Sequence, residues 1–173
     1  MSEVKVSRFV CLVMALFPAL WGLFSFLNNL AGFSGTVQYA VAPLLSMENT
    51  ANNSWLMWRA IDLPWAGYVG LALITAMETL GGIFASLGLI VMVKNFNKSY
   101  LLFSKGKALA MLGASCAVLV WGVGFMVVAG DWFMAWQAKV NPLNTQLGAM
   151  IYALPCITAI IVLLAQKENH QQR

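Results

Sequence analysis

The chain has 173 residues, of which 61% are hydrophobic and only 9% are charged, and its formal net charge is +4 at pH 7. This composition lies far outside the range of soluble globular domains and excludes an ordinary water-soluble enzyme or binding module. It indicates a polytopic membrane protein, in which the basic charge is a signal of membrane topology. We therefore expect no nucleic acid among the partners.

Four apolar segments are long enough to cross a bilayer as helices. A transmembrane helix needs roughly 20 apolar residues, and the segments lie at about residues 9–30, 67–92, 108–129 and 147–165. A membrane β-barrel would need alternating segments of about ten residues, whereas these runs are continuously apolar. We predict an all-α fold, a single four-transmembrane-helix bundle that takes in the whole chain, residues 1–173.

The first segment follows two basic residues, Lys5 and Arg8, as the core of a secretory signal peptide would. Its apolar run is longer than the 7 to 15 residues of such a core, and no convincing small-residue cleavage site follows. We expect an uncleaved transmembrane helix.

The remaining residues form three predicted loops. The external loops cover residues 31–65 and 130–146, and the cytoplasmic loop covers residues 93–107. The first external loop is long and polar in its middle, so it is the expected place for a small folded cap.

Lysine and arginine residues fall mostly on one side of the predicted helices. Those on that side are Lys5, Arg8, Lys94, Lys98, Lys105, Lys107, Lys167 and Arg173, and those on the other side are Arg59 and Lys139. Cytoplasmic segments of membrane proteins carry the excess of positive charge. The sequence therefore predicts that both termini are cytoplasmic.

The external segments are rich in tryptophan. Tryptophans at the headgroup level of a bilayer explain this pattern without any ligand, and the alternative is an aromatic platform for a ligand such as a quinone headgroup. The candidate residues of an external-loop interface are Trp55, Trp58, Asp62, Trp132 and Trp136.

Glu78 is the only charged residue in the second apolar segment. At about 100° per residue, it shares a helix face with small residues, namely Thr75, Gly81, Gly82, Ala85, Ser86 and Gly88. Small residues let membrane helices approach closely, and the third helix offers a matching surface at Ala110, Gly113, Ala114 and Ala117. We predict that the second and third helices are neighbours and that Glu78 points into the bundle.

Three interpretations of Glu78 stay open. An ionised carboxylate at the bilayer centre costs about 2.5 to 3.5 kcal/mol on insertion scales, so the first is a protonated group that stabilises packing through hydrogen bonds. Its candidate partners are Thr75, Thr79, Ser115 and the carbonyls freed by Pro18 and Pro155. The second is a proton or cation relay or a ligand contact, and the third is an ion pair with Arg59.

The sequence contains no recognisable catalytic or cofactor motif. Its one histidine, His170, lies in the polar C-terminal tail, so no histidine cluster can bind haem or a metal. No P-loop, G-x-G-x-x-G or H-E-x-x-H pattern occurs. We expect no cofactor, no metal site and no enzymatic activity.

Several short motifs lie in order along the chain together with Glu78. They are Leu45-Ser46-Met47-Glu48, Trp58-Arg59-Ala60-Ile61 and Gly130-Asp131-Trp132-Phe133 with Trp136-Gln137. In this pattern the chain resembles a bacterial family of predicted small integral membrane proteins, domain of unknown function 2165. The resemblance covers nearly the whole chain and implies four helices in an inner membrane, without an established activity.

Two classes of function remain. The first is an accessory or assembly subunit that packs against a larger inner-membrane complex or a second copy of itself, favoured by the small-residue helix face and the ten adaptable methionines. The alternative is a small transporter or ligand-binding protein that uses Glu78, although no inverted repeat supports transport. The candidate intramembrane polar residues are Glu78, Arg59, Thr75 and Ser115, and the expected surrounding is the lipid bilayer.

Overall fold

The computed structural model describes residues 2–48, 50, 55–138 and 144–168. Its four long helices are α1 (Glu3–Leu45), α2 (Ala66–Lys94), α3 (Tyr100–Trp132) and α4 (Asn144–Ala165), each long and apolar enough to cross a membrane. Over these ranges no strand is formed, apart from an isolated antiparallel bridge between Thr50 and Ala138. The all-α, four-helix prediction is confirmed. Lys139, His170 and Arg173 lie outside the described residues.

The first helix is longer than its sequence predicts. α1 passes its predicted end at residue 30 and continues through a π-helical turn, Val37–Val41, into a last α-helical turn, Ala42–Leu45. Val37 and Val41 are buried against Leu71 of α2. This packing stabilises the helical conformation of residues 31–45, whose sequence alone is only weakly apolar. The prediction of a long external loop over residues 31–65 was therefore wrong in its first part, since the connection begins after Leu45.

The third helix also extends in both directions beyond its predicted residues, 108–129. It begins at Tyr100, so the predicted cytoplasmic loop 93–107 shrinks to the connection after Lys94, because Phe103 is fully buried. At its other end the α-helix becomes π-helical over Leu119–Trp132. The predicted start of the second external loop, at residue 130, is thus still helical.

Glycines set the spacing of the helices around α2. A Cβ added to Gly82 would lie 2.8 Å from the carbonyl carbon of Gly22 in α1, and one added to Gly106 would lie 2.7 Å from the carbonyl oxygen of Gly88. Neither position has room for a larger side chain, so the backbones are in direct contact. The prediction that the second and third helices are neighbours is confirmed.

The buried side chain of Arg8 joins several helices at the end of the bundle that holds the N-terminus. The guanidinium of Arg8 forms a two-point ion pair with Glu168 at 2.7 Å and donates to the carbonyls of Phe96 and Lys98 at 2.7 Å. This hydrogen bond from Arg8 holds the pKa of the Glu168 carboxyl below its usual value. The start of α1, the connection from α2 to α3 and the end of α4 are thus fastened together.

The outer surface of the bundle is apolar. Large hydrophobic side chains are exposed along each helix, among them Leu27, Leu73, Leu119 and Ile161. In water such a surface would cause aggregation, whereas in a bilayer it faces lipid. The bundle is therefore in contact with the lipid bilayer along its length.

Candidate functional site

Glu78 lies in the interior of the bundle and has a polar partner on α1. Its side chain is only 2% exposed, and Asn29 donates a hydrogen bond from Nδ2 to its Oε2 at 2.6 Å. Polar groups inside a membrane are expensive unless they are bonded. The pair supplies such a bond between two helices.

The position of this pair follows from the contact of two glycines. α1 and α2 run in opposite directions and touch at Gly22 and Gly82. Asn29 lies seven residues after Gly22, about two turns along the same face, and Glu78 lies about one turn before Gly82. The two polar side chains therefore meet on the same side of the glycine contact.

None of the hydroxyl groups proposed from the sequence as partners bonds to Glu78. Thr79 donates to the carbonyl of Thr75 at 2.7 Å, and Ser115 donates to the carbonyl of Met111 at 2.9 Å. Both are bonds within a single helix, which short hydroxyl side chains reach easily. The Oγ1 atom of Thr75 is buried and has no hydrogen-bond partner among the described residues.

The ion pair between Arg59 and Glu78 is not formed. The Cζ atom of Arg59 lies 5.4 Å from the ring centroid of Trp58 and 5.1 Å from that of Trp132, while Glu78 is bonded to Asn29. The segment around Arg59 packs against the end of α3 and does not fold into the bundle. This interpretation of Glu78 was wrong because aromatic rings hold the guanidinium at the end of the bundle.

Asn29 is the site residue that sequence reasoning missed. It lies next to the predicted end of the first helix, where a polar residue looks like the start of a loop. With α1 continuing to Leu45, Asn29 is an amide inside a transmembrane helix. An intramembrane amide is a strong signal for a partner on a neighbouring helix, and it would have pointed to Glu78.

A cavity of about 800 Å³ opens beside this pair. Both Glu78 and Asn29 line it, and most of the other lining side chains are apolar, including Leu71, Ile74 and Phe125. Among the described residues, no hydrogen-bond donor contacts the other carboxyl oxygen, Oε1 of Glu78. One oxygen of the carboxyl group is therefore available to a molecule in the cavity.

The two π-helical segments form much of the cavity wall. Residues of Val37–Val41 line one side and residues of Leu119–Trp132 line another. Within the second segment Trp121 stacks on Phe125 and on Tyr152 of α4, with ring centroids 4.5 and 4.7 Å apart. π-Helical turns in α-helices are frequent at functional sites, and here they shape the space between α1 and α3.

The external-loop candidates lie at the surface. Trp55 is 85% exposed and Trp58 is 69% exposed. Asp62, Trp132 and Trp136 are exposed as well. Trp58 and Trp132 contact each other edge to face, with ring centroids 5.6 Å apart. The structure therefore brings together two of these five residues with Arg59.

The arrangement supports binding chemistry through hydrogen bonds and a carboxyl group. Among the described residues, no three His, Cys, Asp or Glu side chains lie close enough together to hold a metal ion. Cys11, Cys116 and Cys156 are free and buried.

Comparison with known proteins assigns the chain to a protein family. No curated protein matches the chain in sequence, and no solved structure matches it. A family model described as "Predicted small integral membrane protein (DUF2165)" matches residues 7–167. This match takes in α2, α3 and α4, all but the first four residues of α1, the Glu78–Asn29 pair and Arg59. The chain therefore belongs to this family of integral membrane proteins, as the motifs around Glu48, Arg59 and Trp132 indicate.

Proposed function

We propose that the protein binds a small amphipathic molecule from the membrane in the cavity beside Glu78. The observation that carries the proposal is a space of about 800 Å³ with a buried carboxyl–amide pair in its wall. Ligand sites typically have volumes of about 300 to 1,000 Å³, mostly apolar walls and a few polar groups that fix orientation. The Glu78 cavity has these properties.

The chemistry of the wall defines the ligand class. Asn29 uses its amide to hold Oε2 of Glu78, which leaves Oε1 as an acceptor when the carboxyl group is ionised or as the proton carrier when it is neutral. The rest of the wall offers apolar contact. A suitable ligand has an apolar body and one hydroxyl or amine group that bonds to Oε1.

Packing alone gives a weaker account of Glu78. A carboxyl group inside a membrane is costly and generally marks a functional position. The glycine contacts at Gly22 and Gly82 already bring α1 and α2 together without it. The lining of the cavity by this carboxyl group therefore favours a role in binding.

Native mass spectrometry of the purified protein tests the proposal. We expect wild-type protein titrated with dodecanol or dodecylamine in a mild detergent to retain one molecule, and Glu78→Gln to bind either probe less tightly. Ser115→Ala is the matched control, because Ser115 bonds within its own helix. Equal binding by wild type and Glu78→Gln, or equal binding of dodecane, would contradict the proposal.

A role as an accessory or assembly subunit stays a prediction and is the alternative function. It was favoured by the small-residue face of α2, and that face packs against α1 and α3 of the same chain, so it offers no free surface to a larger complex. A stoichiometric protein partner in the same mass spectra would favour the subunit role over ligand binding.

Location and orientation belong to the same proposal. We place the protein in a bacterial inner membrane with both termini cytoplasmic, and we regard it as a binding protein without enzymatic activity. Lys94, Lys98 and Lys105 lie at the end of the bundle that holds Arg8, and the excess of positive charge in cytoplasmic segments supports this orientation.

A further inference from the structure

We propose that Arg59, Trp58 and Trp132 form a binding site for a phosphate group at the external end of the bundle. None of these three residues lines the Glu78 cavity. The Cζ atom of Arg59 lies 5.4 Å from the ring centroid of Trp58 and 5.1 Å from that of Trp132. The two rings are nearly perpendicular, at 83°.

Among the described residues, the Nε edge of Arg59 has no hydrogen-bond acceptor. No carboxylate in the described ranges forms an ion pair with it, and its buried Nε atom has no hydrogen-bond partner among those residues. Tryptophan rings attract the cation through their faces, but they offer its N–H groups no oxygen acceptor. A guanidinium has five N–H donors in a fixed fork, so the Arg59 site can take up an oxygen acceptor from a ligand.

Backbone hydrogen bonds hold the segment that carries Arg59 in place. The amide of Arg59 bonds to the carbonyl of Leu56 at 3.0 Å, and the amide of Ile61 bonds to the carbonyl of Leu45 at the end of α1 at 2.8 Å. The first bond closes the short 3-10 turn Met57–Arg59, and the second attaches the chain just after Arg59 to the end of α1. A fixed cation loses little conformational freedom when it binds an anion.

The connection after α1 and the end of α3, which carry the site, pack on one hydrophobic cluster. Met47 from the first loop is buried together with Phe133 and Met134, which directly follow Trp132, and Ala60 packs against them. Met47 and Met134 have positive φ angles of 55° and 54°, a conformation that non-glycine residues adopt only when packing requires it. The site is therefore formed before any ligand arrives.

Phosphate is the acceptor that fits this position best. Its oxygens accept two parallel hydrogen bonds from a guanidinium fork. Exposed tryptophans at the end of a membrane helix lie at the headgroup level, which is where phospholipid phosphates are found. The occupant we propose is the phosphate of a phospholipid in the external leaflet, and a soluble phosphate ester would share the same chemistry.

The test measures binding of dioleoyl phosphatidylglycerol to the full-length protein by native mass spectrometry in a mild detergent. Arg59→Gln should weaken binding roughly tenfold, since it removes charge-assisted hydrogen bonds. Arg59→Lys should recover only part of the affinity, because an ammonium lacks the planar fork. Lys105→Gln is the control, as it removes the same charge from an exposed position near the start of α3, away from Arg59.

Unchanged affinity in Arg59→Gln, or an equal loss in Lys105→Gln, would overturn the proposal. If Arg59→Gln fails to fold by circular dichroism, Arg59→Lys decides the matter, and wild-type affinity in that variant would reject the guanidinium site. Glycerol 3-phosphate distinguishes the sources of phosphate. Displacement of the lipid by this soluble ester at equal concentration assigns the site to free phosphate esters, and persistence of the lipid assigns it to phospholipid.

Discussion

Gly22 of α1 and Gly82 of α2 are in backbone contact, with no space for a Cβ on either residue. This contact brings the two helices close enough for Asn29 to reach Glu78, one to two turns away. The polar site is therefore a consequence of close helix packing. Changes at the glycines should affect both the stability of the bundle and the geometry of the Glu78 cavity.

Replacing Gly82 by alanine should destabilise the protein. The added Cβ would lie 2.8 Å from backbone atoms of Gly22 and Leu23, and overpacking of this kind costs roughly 1 to 3 kcal/mol. The free energy of unfolding in mixed micelles of a mild detergent and dodecyl sulfate measures the effect. Gly148→Ala is the control, because a Cβ there meets nothing within 4 Å. Equal stability of the two variants would show that the contact is looser than described.

Changes at Glu78 should separate the hydrogen bond from the charge. Glu78→Gln keeps an acceptor for the Asn29 amide, so we expect the bundle to assemble with nearly wild-type stability. Glu78→Leu leaves the Asn29 amide without its bond, which should cost about 1 to 3 kcal/mol. The double variant Asn29→Leu with Glu78→Leu should recover part of this loss, as a double-mutant cycle measures. Strictly additive losses would mean that the two residues are not coupled.

The ion pair of Arg8 and Glu168 should make stability depend on acidic pH. The pKa of Glu168 is lowered in the folded state by its hydrogen bond with Arg8, so the ionised carboxylate is favoured by folding. Its contribution is complete above the unfolded carboxyl pKa, for which 4.5 is the usual value, and is lost as pH falls through the lower folded value. Melting temperature measured from pH 7 down to pH 3 should show this loss, and Glu168→Gln should reduce it. The same acid sensitivity in Glu168→Gln would assign the loss to other groups.

Cysteine labelling should determine the orientation in the membrane. The native cysteines are buried, so a membrane-impermeant maleimide should react only with a cysteine placed at an exposed position. Asp62→Cys should be labelled in intact spheroplasts, whereas Lys105→Cys should be labelled only after the membrane is opened. The reverse pattern would place the termini outside and would move the Arg59 site to the cytoplasmic leaflet.

The number of helices and the burial of Glu78 could be predicted from the sequence for simple reasons. Continuous apolar runs specify transmembrane helices by length alone. The spacing of Gly81, Gly82, Ala85 and Gly88 places them with Glu78 on one face whatever the neighbouring helix is. Both signals are local, so they survive without knowledge of the fold.

Features that depend on tertiary contacts could not be predicted in the same way. The extension of α1 to Leu45 rests on packing against α2, and the partner role of Asn29 follows from that extension. Arg8 contributed to the sequence argument as a topology signal, yet it is buried and joins three elements. A charge count treats such a residue like any exposed cation. Its partners are backbone carbonyl groups, which every residue has, so the sequence does not reveal them.

The depth of Glu78 along α2 has an electrical consequence. The 29 residues of α2 rise about 43 Å at 1.5 Å per residue, which matches a bilayer with its headgroups, about 40 to 45 Å. Glu78 lies twelve residues after Ala66, roughly 18 Å along that path. A proton arriving from the Ala66 end would cross about two fifths of the transmembrane potential difference. At 100 mV this changes its free energy by about 1 kcal/mol. Protonation of this carboxyl group would therefore respond to membrane voltage as well as to the pH of the solution.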